Sequence, residues 1–133
     1  MTSASTTFEI PAQLDSIGRV RDLVEERALK AGLEEVAASL YALSCVEAFT
    51  NIVRHANVPP DGVPIRLVIK QLDDELQVDF VHHGQHYEPT AQLPDLDLDD
   101  YPEGGFGRTI MHEASDSVEY LRGEQANTVR LKK

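Results

Sequence analysis

One stretch constrains the fold more than any other. LSCVEAFTNIVRHA, at 43–56, reads as the second half of a long helix. Glu47 and Asn51 lie four residues apart in it, so they stack on one helical face. A carboxylate and a carboxamide held near Leu43, Phe49 and Ile52 are costly to bury without partners. A ligand or another segment is therefore expected to engage them. EGGFGRTIM, at 103–111, points to what kind: a glycine-rich turn opening into a helix N-terminus is a place for phosphate.

The remaining chain divides around this helix. Residues 1–7 are small and polar and read as frayed, while 7–10 can form a short strand that Pro11 ends or confines to an edge. Ser16 is a candidate N-cap for a first helix, in which Ile17, Val20, Val24, Ala28 and Ala31 recur at helical spacing and Gly32 supplies the stop. The second helix begins at Leu33 or Glu34. Val36, Leu40, Leu43, Glu47, Asn51 and Arg54 descend one side, apolar at the start and polar at the end, as in a helix that leaves the core and enters a cleft. Phe49, Ile52, Val53 and Ala56 extend the apolar contact to an adjacent side.

NVPPDGVP, at 57–64, is loop chemistry. Alternating strands are expected over 65–71 and 76–82, turning at Asp73-Asp74. The stretch 82–102 carries three prolines and no sustained period, and loops of that length are often functional. A third helix over 107–114 and strands over 116–121 and 127–131 complete the order β-α-α-β-β-α-β-β. That order predicts an α+β fold, a two-layer α/β sandwich, as a single domain over 1–133.

A net charge of −11 weighs against nucleic acid as the main partner and favours basic protein partners or plain solubility. Cys45 is the single cysteine, so an internal disulfide is excluded, and a small buried apolar role fits it better than a nucleophilic one. The first residues show no basic and apolar leader pattern, and no run of about 18 apolar residues is present; a cytoplasmic protein with no membrane contact is the expectation.

Four groups of residues could carry chemistry. Asn51 offers a hard neutral oxygen suited to Mg²⁺, and Glu47 one turn earlier could accept a proton from an attacking hydroxyl. Alone, one E-x-x-x-N is a weak motif, and a solvated polar patch on a helix is the favoured reading of it. Gly104, Gly105 and Gly107 would let backbone approach an anion, but no G-K-[ST] follows and no strand precedes them. His82, His83 and His86, with His55 and His112 elsewhere, could ligate a metal, yet they lack a cysteine partner, and satisfied strand-end histidines are the simpler state. Asp95, Asp97, Asp99 and Asp100 lack the EF-hand pattern and read as a solvated acidic loop.

Taken together, LSCVEAFTNIVRHA, the glycine turn and helix GGFGRTIM, then DSVEY and a final NTVRLKK, resemble the anti-sigma-factor serine/threonine kinases. These are small members of the superfamily of gyrase and histidine-kinase-like ATPase domains. The resemblance runs from Phe8 to Lys132. It implies a mixed, mostly antiparallel sheet with helices on one face and ATP held between the second helix and the glycine turn. By position, Glu47 matches the catalytic glutamate, Asn51 the Mg²⁺ ligand, and Arg54 and His55 the basic-His pair after it. Gly104, Gly105, Phe106 and Gly107 match the phosphate-contacting turn, and His82, Gly84 and Thr128 fall at further nucleotide-contacting positions. The implied activity is partner switching: such a protein sequesters a sigma factor, phosphorylates an anti-anti-sigma protein of the STAS type, and often acts as a homodimer.

One position departs from the pattern. Where the family has D-x-G-x-G, this chain has His82-His83-Gly84-Gln85-His86, so a carboxylate that accepts the adenine amino hydrogen is replaced by an imidazole. Losing one buried hydrogen bond to a ligand costs about 1–3 kcal/mol, roughly 5- to 150-fold in affinity. The alternative expectation is a nucleotide-independent protein-binding module that kept the fold and sequesters its regulator without phosphotransfer. A catalytic domain of a larger histidine kinase is the third expectation, disfavoured because no phosphoacceptor helix pair is evident.

Overall fold

A computed structural model describes residues 4–87 and 114–133 of the chain. Five strands form one sheet: β1 (Ala4–Ile10), β2 (Ile65–Leu72), β3 (Glu75–His82), β4 (Ser117–Leu121) and β5 (Asn127–Lys132). Their order is β1-β2-β3-β5-β4, and every pairing is antiparallel rather than mixed. Two helices, α1 (Ile17–Lys30) and α2 (Glu35–His55), lie between β1 and β2 in the chain. The third helix expected over 107–114 lies outside the described residues except for Ala114.

The strands fall close to the positions their alternation predicts. The largest difference is β1, which starts at Ala4, so residues 4–7 are not frayed. They pair with β2 from Ala4 opposite Gln71 onward, because that edge offers a full row of backbone partners. Arg27 of α1 secures this strand: its Nη1 donates to Thr6 Oγ1 at 2.9 Å, and its guanidinium lies 5.9 Å from the Phe8 ring centroid.

The first helix is preceded by a single 3-10 turn, Leu14–Ser16. Ser16 therefore sits in right-handed helical geometry and its hydroxyl makes no cap bond, contrary to its expected capping role. The other end follows expectation. Gly32 has φ of +97°, its N–H reaches Leu29 O, and Leu33 N–H reaches Ala28 O, which together make a Schellman stop.

The core lies between the sheet and one face of each helix. Val20, Val24 and Ala28 of α1 and Ala38, Tyr41, Ala42, Cys45, Phe49 and Ile52 of α2 are buried there against Leu67, Val78, Phe80 and Leu131. Phe49 meets Phe80 with ring centroids 6.0 Å apart, and Tyr41 donates its hydroxyl hydrogen to Leu131 O at 2.7 Å. Cys45 is fully buried, and burial pushes its thiol pKa up, as befits a packing residue. The Val36–Leu40–Leu43 side of α2 does not start in the core as the sequence reading expected; all three are exposed. Alanines and a tyrosine carry the buried side instead. The small alanines let α2 approach its neighbours closely, and Tyr41 fills the core beside them, while the leucines face outward.

By length and composition α2 is apolar enough to cross a membrane, but over half of its most apolar window is buried inside the protein.

Candidate functional site

The outward face of α2 continues from Leu43 into Glu47 and Asn51, both half-buried, and then to Arg54, which is exposed. Burial raises the Glu47 carboxyl pKa, and the charge of Arg54 partly opposes that rise. Two side-chain contacts bracket the pair. One turn before Glu47, Ser44 shares a buried hydrogen bond of 2.7 Å with Ser115. One turn after Asn51, His55 stacks on Tyr87 with ring centroids 4.8 Å apart and planes 21° from parallel. The described chain thus departs at Tyr87 from one end of α2 and returns at Ser115 near its middle. These anchors are about 16 Å apart along the helix, with Glu47 and Asn51 between them.

At the end of β3, His82 lies in step with Val78 and Phe80, on the helix-facing side of the sheet. It is 1% exposed, and its Nδ1 has no hydrogen-bond partner among the described residues. Burial lowers its pKa, with nearby His86 and His83 adding to the effect, so the ring is held neutral. Across the sheet His82 pairs with Asn127, whose side-chain amide donates to Gly84 O at 3.0 Å.

Gly84 has a structural cause. Gln85 N–H donates to Ala56 O at 2.6 Å, bringing the chain hard against the end of α2. A Cβ on Gly84 would collide with the Ala56 carbonyl and lie 2.6 Å from Val58 Cγ2. Asn57, with φ of +54°, turns the chain out of α2 and donates its amide to Gln85 Oε1 at 2.9 Å. The glycine therefore serves close approach within the protein. Thr128 stands opposite Val81 in register and so points to the sheet face away from the helices; it is not brought to His82. Gly104, Gly105, Phe106 and Gly107 lie outside the described residues, as do the aspartates at 95–100 and His112.

Asn127, Tyr87 and Ser115 were missed by sequence reasoning. Asn127 had a signal: alternation with Val129 and Leu131, both buried, puts it on the inner face. Tyr87 and Ser115 had none, since each meets α2 only through the tertiary fold.

The residues fit a nucleotide with its cation in part. Among the described residues no three His, Cys, Asp or Glu side chains converge to hold a metal alone, His82, His83 and His86 included. A cation on Asn51 would then take its other ligands from water and phosphate, as Mg²⁺ usually does. The unpartnered Nδ1 of buried His82 can serve a polar ligand group, although with an imidazole's chemistry rather than a carboxylate's.

The chain resembles the RsbU and RsbW domains of Rv1364c from Mycobacterium tuberculosis with a TM-score of 0.68 at 14% identity, covering 97% of this chain and 32% of that one. It resembles the histidine kinase domain of the Erythrobacter litoralis EL346 blue-light activated histidine kinase with a TM-score of 0.54 at 17% identity, covering 92% of this chain and 60% of that one. The chain thus spans less than two thirds of either. No curated protein sequence matches it significantly. A family model, the histidine kinase-like ATPase domain, matches residues 10–133. With its helices, sheet order and family match in agreement, the chain belongs to the histidine kinase-like ATPase domain family.

Proposed function

We propose that this protein binds ATP with Mg²⁺ on the outward face of α2 and acts as a serine/threonine kinase in a partner-switching system. The observation that carries this is the half-buried Glu47–Asn51 pair, bracketed by the Ser44–Ser115 and His55–Tyr87 contacts in a chain of this ATPase family. In this role Asn51 Oδ1 takes the cation. Glu47, with its raised pKa, accepts the hydroxyl proton of the protein substrate. Arg54 tempers the local negative charge, and the backbone at Gly104, Gly105, Phe106 and Gly107 meets the phosphates. The partners are a sigma factor, which the protein sequesters, and a STAS-type antagonist, which it phosphorylates.

The test is nucleotide binding by wild type, Asn51→Ala and His82→Asp. Asn51→Ala is expected to weaken Mg²⁺-ATP binding at least tenfold. His82→Asp, by restoring a carboxylate acceptor, is expected to tighten it about 5- to 150-fold. If neither substitution changes affinity, the assigned site is wrong.

A second reading is favoured by one observation. The neutral, buried His82 replaces the family's adenine-binding carboxylate. Under it the protein is a nucleotide-independent module that sequesters its regulator by binding alone. Glu47→Ala would then leave regulator binding and cellular output at wild-type level, whereas loss of phosphotransfer in that variant would exclude it.

A further inference from the structure

We propose that the outward apolar line of α2, with the cleft it shares with α1, docks an amphipathic helix with basic flanks on the protein substrate. The inference rests on the kinase reading for the substrate's identity, but not for the groove itself. Val36, Leu40 and Leu43 repeat at helical spacing on the side of α2 opposite the core and are 71%, 45% and 37% exposed. Leu29 of α1, 42% exposed, faces the same opening. Leu29 and Leu43, together with Ser39, border an open cleft of about 600 Å³ between the two helices, and Leu40 and Val36 continue the exposed line along α2 beyond it. Single exposed leucines are ordinary; two at a cleft, with a leucine and a valine continuing the line along α2, mark a place where apolar surface is to be covered.

Charge decides what kind of helix fits. On the rim from α1, Arg21 pairs with Asp22 at 3.6 Å and Lys30 with Glu26 at 3.0 Å, and Glu25 leaves the rim net negative. The whole chain carries −11, so an acidic partner is repelled at long and short range, and a lysine- or arginine-flanked one is drawn in. Two side-by-side helices with an apolar seam accept a third helix through anchors at i, i+3 or i+4, and i+7. Position links the groove to the chemistry. Glu47 follows Leu43 by one turn on the same side of α2, so a helix seated on Val36–Leu43 ends about 6 Å along the axis from the carboxylate. A partner held there presents a neighbouring hydroxyl to Glu47.

The probe is a synthetic helical peptide with leucines at i, i+3, i+4 and i+7 and lysines elsewhere, titrated into the full chain by heteronuclear NMR. Expected are shifts centred on Leu29, Val36, Leu40 and Leu43. A glutamate-for-lysine peptide should bind at least tenfold more weakly, and L40S/L43S should lower affinity for the lysine peptide at least tenfold. Both substitutions are at exposed positions, so the fold is retained, which circular dichroism checks. Shifts elsewhere, or unchanged affinity in L40S/L43S, overturn the proposal. So does a wild-type dimer that L40S/L43S turns into a monomer in sedimentation, which would put a second copy in the groove. So does phosphatidylserine-vesicle binding that the same variant abolishes. Titration with Mg²⁺-ATP separates the two readings. Wild type that binds the lysine peptide but no nucleotide keeps the groove and removes the kinase. Wild type that binds nucleotide but not the peptide does the reverse.

Discussion

Gly84 stands where β3 passes the end of α2, and its missing side chain is what allows Gln85 to reach the Ala56 carbonyl. Gly84→Ala is expected to cost about 1–3 kcal/mol, the range for forcing extra volume into a packed site, read as a lower urea midpoint. Glu47 shows the opposite balance. Burial raises its folded pKa above 4.5, so the native state holds the proton longer than the unfolded chain does. Stability therefore falls as pH rises through that window. Glu47→Gln should keep or raise the melting temperature at pH 7 while lowering phosphotransfer about 10²- to 10⁴-fold. His82 has its folded pKa lowered from 6.5 by burial first. As pH falls through 6.5 the unfolded chain takes its proton first, so stability declines below neutrality. His82→Asn should remove that component from the melting temperature measured against pH. The positions of Glu47, Asn51 and His82 were legible in the sequence because helix spacing and strand alternation fix them. The reason for Gly84 was not: a glycine can face a ligand or the protein's own backbone, and only the fold distinguishes these.

Strand boundaries were legible for the same reason, since apolar alternation bounded by turn residues leaves little freedom. The facing of α2 was not. It carries apolar residues on both sides, and the leucines drew the core assignment that the alanines and Tyr41 in fact hold. The two sides should respond differently. Phe49→Ala, at a fully buried position against Phe80, is expected to cost about 3–5 kcal/mol. Leu43→Ser should stay within about 0.5 kcal/mol in the same denaturation assay. The start of β1 was missed because its small polar residues carry no alternation signal, and the edge of β2 alone recruits them. Thr128 was assigned to the site by position in a motif, whereas register places it on the other face of the sheet.

Among the described residues, α1 and α2 cover one face of the sheet, and the other face carries polar pairs. On that face Arg130 forms a two-pronged contact with Asp79, at 2.9 and 3.0 Å, and Gln77 bonds the same carboxylate. Asp79 is 5% exposed, so Arg130→Ala would strand a buried charge at a cost of about 1–3 kcal/mol. The proposed catalytic pair lies on the outward face of α2, between the Ser44–Ser115 and His55–Tyr87 contacts. The most direct measurement is calorimetric titration of ATP into the wild-type protein, with and without MgCl₂, beside Asn51→Ala. Expected is saturable binding that MgCl₂ strengthens in wild type and that Asn51→Ala makes insensitive to MgCl₂. A flat trace at millimolar ATP, or an undiminished MgCl₂ effect in Asn51→Ala, would contradict it.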